Sequence, residues 1–313
     1  MVMQNVKLAL SQKTSVNFLY LNHHLEKLNA PSGVEILLSP LAYKKYKWVR
    51  KYFISPPKEG YFIWVKNQPS HPLSTCVGIT QRKVRQGLNN LLVVESGIKA
   101  ESQVACSAFL RNLYSEHRAE GKIILKENSS LSYKHLHSWA EGDFVEPNYE
   151  FILEKGAQLD YQYQLLNPPQ NLTFKTKYIL NDNAKARAKI VILSKKSIIN
   201  INEEMILSGK NTSGSVFLRL VGDKNSQIHS ISRLVAKGES RGHLDCQGLI
   251  LDNTSQIRLV PELINENKKA LLTHEASIGR INEEELNYLR ARGLTLKEAT
   301  ELIVNGFLQL ENQ

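Results

Sequence analysis

Short apolar runs separated by polar turns set the texture of most of the chain. LLVVES, KIILKE, YEFILEK, AKIVILS, SVFLRLV and GLILDN all fall between residues 60 and 280. They are rich in Val, Ile, Leu and Tyr and are bounded by Gly, Asn, Asp and Ser, which predicts β-strands joined by turns. No helical periodicity alternates with them, so a βαβ arrangement is disfavoured. A degenerate repeat runs through the same region. EKGAQLDY, NDNAKARA, DKNSQIHS and DNTSQIRL each carry a polar turn, a small residue and then alternation. The small residues are Ala157, Ala184, Ser226 and Ser255, at intervals of 27, 42 and 29. Two coils of about 21 residues would account for the 42. A loose period of roughly 20–30 residues in strand-rich sequence predicts a β-helix, whose coils bury their apolar faces only by stacking. An ordinary β-sandwich is the competing reading.

The flanks read as helix. Residues 14–29 place Val16, Leu19, Leu21, Leu25 and Leu28 at roughly helical spacing. A second helix is expected from Ser39 as N-cap with Pro40 in its first turn, running to Tyr52 and ending before Pro56 and Pro57. At the other end, Asn282 caps three glutamates where a helix dipole favours negative charge, and Gly293 is a stop. Thr295 and Glu298 form a capping-box pattern for a last helix that would bury Leu296, Ala299, Leu302, Ile303 and Phe307. The expected organisation is therefore a helical segment over 1–60, a β-helix core over 61–280 and a helical segment over 281–313.

Composition narrows the function. No apolar run reaches the length of a membrane-spanning helix. The N-terminus does not read as a secretory signal. Three widely spaced cysteines, Cys76, Cys106 and Cys246, argue against a disulfide framework and favour a reducing cytoplasm. Net charge is +10, but the basic residues are scattered apart from the cluster of Lys44, Lys45, Lys47, Arg50 and Lys51. No aromatic-plus-basic signature accompanies them, so nucleic acid is not an expected partner. There is no GxxxxGK[ST] loop, no GxSxG and no HExxH, and nothing supports a self-contained enzyme.

The most informative stretch is THEASIGRINEEELNYLRARGL, followed by the Asn305–Phe307 NGF. It resembles the SufB/SufD family of iron–sulfur cluster assembly scaffolds, which has a His-Glu-Ala or His-Gly-Ala turn, an acidic helix start and a Tyr-Leu-x-x-Arg-Gly ending. Upstream, RQGLNNLLVVESGIKAESQVACSAF resembles the family's stretch from a glutamine, here Gln86, to a cysteine, here Cys106. HLHSWAEGD resembles a Gln-Asn-Trp-x-x-Gly-Asp segment. Trp139, Gly142 and Asp143 match it, while His137 stands where SufB proteins have glutamine. The resemblance covers about residues 75–310 and little of the first 60.

It implies a right-handed parallel β-helix between helical ends. It also implies a transient iron–sulfur cluster, a sulfur donor and a SufC-like ABC-type ATPase docking at the C-terminal helices. Cys246 matches the SufB cysteine that carries the nascent cluster, His274 a histidine of both relatives, and Glu275 the SufB glutamate where SufD has glycine. The offset from Cys246 to His274 is 28 residues, as in SufB. A thiolate with imidazole and carboxylate ligands suits a cluster that must be handed on. Cys106 is a candidate sulfur relay. Read without the resemblance, all three cysteines are small core residues, and for Cys76 that reading stands. Adjacent strand residues point to opposite faces, so His274 and Glu275 are not expected to serve one site within one chain. A homodimer through residues of about 245–280, or pairing with a SufB/SufD paralogue, would resolve this. The alternatives are a SufD-like structural subunit without its own cluster and a β-helix carbohydrate-active or carbohydrate-binding protein.

Overall fold

The computed structural model describes residues 16–308. Two sheets face each other. In spatial order the first holds β19 (Leu271–Arg280), β17 (Ser240–Ile250), β15 (Thr212–Asp223), β13 (Lys185–Lys195), β11 (Gln158–Asn167), β9 (Ser130–Ser138), β7 (Lys99–Ala108), β5 (Leu73–Ile79), β1 (Phe18–Leu21) and β2 (His24–Leu28). The second holds β18 (Gln256–Asn265), β16 (Gln227–Ala236), β14 (Ile198–Leu207), β12 (Asn171–Leu180), β10 (Phe144–Leu153), β8 (Glu116–Leu125), β6 (Arg85–Val94), β4 (Tyr61–Val65) and β3 (Val34–Leu38). From β4 to β19 the chain alternates between the sheets, and neighbouring strands within each sheet are parallel. The protein is a β-solenoid of about eight turns.

The register gives the true period. Gln158, Lys185, Ser213, Arg241 and Leu271 are stacked partners, steps of 27, 28, 28 and 30 residues. Ala157 and Ala184 precede strands of the first sheet, whereas Ser226 and Ser255 precede strands of the second. The 42-residue interval is therefore one coil and a half, not two short coils. One corner repeats faithfully. Gly97, Asn128, Gly156, Asn183 and Asn211 all have positive φ, and the amide of each donates to a carbonyl in the next coil. Glycine and asparagine enter this left-handed region at least cost, which is why they recur there.

Alternation along each strand sends every second side chain into the lumen. In β12, for example, Leu172, Phe174, Thr176, Tyr178 and Leu180 are all buried. One continuous apolar core fills the solenoid from Phe18 to Ile257.

The N-terminal segment departs from the helical expectation. Of residues 14–29, the first two lie outside the described residues; the rest hold a hairpin of β1 and β2. Phe18, Leu19 and Tyr20 are buried in succession, the mark of a strand covered on both faces rather than of an amphipathic helix. Asn22, with φ 54°, supplies the turn, and β1 joins the first sheet parallel to β5. The second expected helix forms as α1 (Ser39–Lys45) followed by a 3-10 turn over Lys47–Tyr52. Ser39 does not cap it; its hydroxyl donates to the carbonyl of Asn89 instead. Ala42 and Val49 of this segment cover the outer face of the second sheet around Phe62, Leu91 and Ile124.

The C-terminal helices are α2 (Glu283–Ala291) and α3 (Leu296–Leu308). Asn282 caps the Glu284 amide, and Thr295 and Glu298 bond reciprocally as a capping box. The buried face of α3 is only partly the expected one, with Ile303 half-buried as expected. Ala299 and Val304 are buried and Phe307 is partly so, while Leu296 and Leu302 are exposed at 56% and 52%. Val304 packs on Val221 and Leu249, on the outer face of the first sheet.

Candidate functional site

Among the described residues, two clusters of buried polar side chains stand out in the lumen. The first sits near its C-terminal end. Cys246 points inward from β17 and is 1% exposed. It stacks in register on Ala276, with Leu244 on His274 and Asp245 on Glu275. His274 therefore shares the lumen-side face of Leu244 and Cys246, and Glu275 shares the opposite face with Asp245. The expected separation of His274 from Glu275 holds. β19 is the edge strand of its sheet, and His274 and Glu275 are both exposed. On the outer face, Asp245 forms a buried bidentate pair with Arg219, at 3.0 and 2.6 Å.

Across the lumen, Thr176, Glu203 and Ser232 stack in register on three successive coils of the second sheet. Both carboxyl oxygens of Glu203 are buried without a hydrogen-bond partner, as are the Thr176 and Tyr178 hydroxyls beside it. Burial pushes the Glu203 carboxyl up to about 8 despite those neighbouring hydroxyls. Burial, with Glu203 second, pushes the Cys246 thiol up to about 12, while the Ser232 hydroxyl acts the other way. Both groups are thus protonated at neutral pH.

The second station lies near the middle of the solenoid. Cys106, His135 and His137 are all buried, and a ligand atom from each lies within 4.8 Å of the others. Sequence reasoning singled out Cys106 but passed over His135. The signal was there: an i, i+2 histidine pair in a strand shares one face, and the pair follows Cys106 by one coil. The thiol lies 3.6 Å from His135 Nε2, and the two Nε2 atoms are 2.9 Å apart. Tyr163 and Trp139 meet His137 Nδ1, each at 3.1 Å, and Tyr161 meets His135 Nδ1 at 3.4 Å. Nearby, His117 Nδ1 bonds to Gln86 Oε1 at 2.8 Å, and Gln86 Nε2 donates to the carbonyl of Asn22. Burial holds His117 and His135 down to about 3 and His137 well below its ordinary value, so all three rings are neutral. Burial likewise drives the Cys106 thiol upward.

Two other singled-out residues are structural. Cys76 packs between Leu19 and Ala105 on the outer side of the first sheet. Asp143 accepts from the amides of Ser115 and Ala140, both at 3.0 Å, and so ties two coils together at a corner.

Among the described residues, no helix is long and apolar enough to cross a membrane. Comparison with known proteins identifies the fold's family. Residues 78–307 match the family described as SUF system FeS cluster assembly, SufBD core domain. An iron–sulfur cluster assembly SufBD family protein of Methanothermobacter thermautotrophicus strain Delta H is 28% identical over 308 residues, covering 90% of this chain and 75% of its own. One of Archaeoglobus fulgidus is 28% identical over 300 residues, covering 89% and 80%. One of Staphylococcus epidermidis is 27% identical over 261 residues, covering 80% of this chain and 55% of its own. None of these supports the carbohydrate-active alternative. A solenoid with a buried cysteine at its open end and the family match over most of its coils place this chain in the SufBD core family of iron–sulfur cluster assembly proteins.

Proposed function

We propose that this chain is a scaffold subunit on which an iron–sulfur cluster is built for transfer. Its cluster ligands are Cys246, His274 and Glu275, and a SufC-like ABC-type ATPase hydrolyses ATP on its behalf in a reducing cytoplasm. The observation that carries the reading is the position of Cys246, a lumen-facing thiol one strand from the open end with His274 on the same face of the next strand. Iron and sulfide are cargo that this end receives. Cys106 is the proposed relay for sulfur arriving from a donor. Glu275, on the other face, meets the cluster only across an interface. We therefore place a second copy, or a SufB/SufD-type paralogue, against the unpaired edges of β18 and β19, where joining edges satisfies free backbone groups.

Anaerobic co-purification with the SufC-like ATPase, followed by iron and sulfide reconstitution, tests the proposal. Cluster absorbance that depends on Cys246 is the expected result. A complex that never develops it identifies a SufD-like subunit instead.

A further inference from the structure

We propose that Cys106, His135 and His137 form a binding site for a thiophilic, monovalent transition-metal ion of the Cu(I) type. The site lies inside the solenoid and is separate from the cluster-building end. It stands whether or not Cys106 also carries sulfur.

The ligand atoms converge. Cys106 stacks in register on His137, and His135 lies two residues before it on the same inward face. The Cys106 sulfur lies 3.6 Å from His135 Nε2, the two Nε2 atoms are 2.9 Å apart, and one ligand atom of each residue lies within 4.8 Å of the others, on the scale a small ion would bridge. One sulfur and two imidazole nitrogens make a soft donor set, which suits Cu(I) or Zn(II) rather than hard cations. The rings are also braced from behind, as metal-bound histidines are: His135 Nδ1 faces the Tyr161 hydroxyl and His137 Nδ1 that of Tyr163. A spare donor lies alongside. Gln86 gives its carbonyl to His117, so the His117 proton is on Nδ1 and its buried Nε2 lone pair has no partner.

Charge selects the ion. No carboxylate belongs to this cluster, and a metal-bound imidazole is neutral. A thiolate with a monovalent ion is neutral overall, whereas with a divalent ion it leaves a net positive charge in an apolar lumen. Such a charge is costly unless it is paired. Proton balance is simple. The Cys106 S–H proton leaves to solvent as the S–metal bond forms, so one proton is released per ion bound.

Trp139 restrains the site. Its Nε1–H only donates, so His137 Nδ1 accepts and the His137 proton sits on Nε2, pointing at His135. With a metal on Nε2 the His137 proton would sit on Nδ1 and donate a hydrogen bond to the Tyr163 hydroxyl oxygen, which breaks the Trp139 bond. Removing the indole donor should therefore tighten the site.

The test is anaerobic titration with Cu(I) against a chromophoric Cu(I) chelator, with the ion added to the folded chain and also during refolding. The Cys76→Ser/Cys246→Ser background leaves Cys106 as the sole thiol. We expect one tightly held equivalent, lost on adding Cys106→Ser, at least tenfold weaker in His137→Gln, and tighter in Trp139→Phe. Zn(II) should compete poorly. X-ray absorption of the loaded background protein, expected to show one sulfur and two nitrogen neighbours, keeps the test decisive if a variant misfolds. Cu(I) retention unchanged by Cys106→Ser, a sulfur-free spectrum, or preference for Zn(II) would overturn the proposal.

Discussion

His135 and Cys246 lie on a single inward-facing row of the first sheet, joined in register through Tyr163, Ile190 and Leu218. Four steps at the usual spacing of parallel strands put them about 19 Å apart. The two stations thus share one lumen, apolar along this row for two coils and polar on the facing wall at Thr176, Glu203 and Ser232. Sulfur passing from Cys106 to Cys246 would have to travel that wall.

Cys246→Ser is expected to remove most of the absorbance regained on iron and sulfide reconstitution, while Cys76→Ser leaves it intact. Cys76 is wedged between Leu19 and Ala105 on the outer side of its sheet, away from the lumen. Equal absorbance in wild type and Cys246→Ser would reduce Cys246 to a core residue.

The C-terminal helices allow the proposed ATPase docking to be tested apart from folding. Leu302 is exposed and Val304 is buried on the β-core. Leu302→Asp should weaken binding of the SufC-like ATPase at least tenfold in a calorimetric titration, with an unchanged melting temperature. Val304→Asp should instead destabilise the chain by about 3 kcal/mol, because it buries a charge. Full ATPase affinity in Leu302→Asp would move the docking surface elsewhere.

Glu203 makes the protein sensitive to alkali. Its carboxyl is raised from 4.5 to about 8 in the folded chain. The folded state therefore holds a proton that the unfolded state releases. The associated stability is complete below pH 4.5 and is lost as pH rises toward 8, up to a bound of about 5 kcal/mol. Glu203→Gln should be more stable than wild type at pH 8 in denaturant titrations, with the gap closing at pH 5. A gap that does not change with pH would show that Glu203 does not titrate this way.

Acid acts through the other station. His117 and His135 are held at about 3 in the folded chain against 6.5 when exposed. Their contribution is present above pH 6.5 and is lost as pH falls toward 3, about 2 kcal/mol for each ring by pH 5. The pH dependence of unfolding between 7 and 5 should flatten measurably in His117→Gln. An identical slope would place the acid sensitivity outside the lumen.

The architecture was legible because strand alternation and coil stacking leave a local trace: apolar runs, turn residues and small corner residues such as Ala157 and Ser226. The coil length was not, because those two residues mark corners of different sheets and their spacing mixes whole and half turns. The N-terminal hairpin escaped for a related reason. Leu21, Leu25 and Leu28 lie at helical intervals, and only tertiary pairing of Phe18–Leu21 with β5 decides for strand. Leu296 and Leu302 fit a helical apolar stripe equally well, but α3 meets the sheet with its Ala299–Val304 face. In the candidate site, Cys246, His274 and Glu275 were visible through motif, whereas the Cys106 cluster is a product of register, which brings Cys106 beside His137 across a full coil.

The edge position of β19 has a dynamic consequence. In a stack where each coil is held only by its neighbours, resistance to local opening falls toward the ends. β19 has one strand partner, β17, where interior strands have two. Its amides should exchange with solvent well before those of β11 or β13. Cys246 lies one strand from the fraying edge, while Cys106 on β7 lies several coils further in. The C-terminal end of the stack should therefore open more readily than its middle.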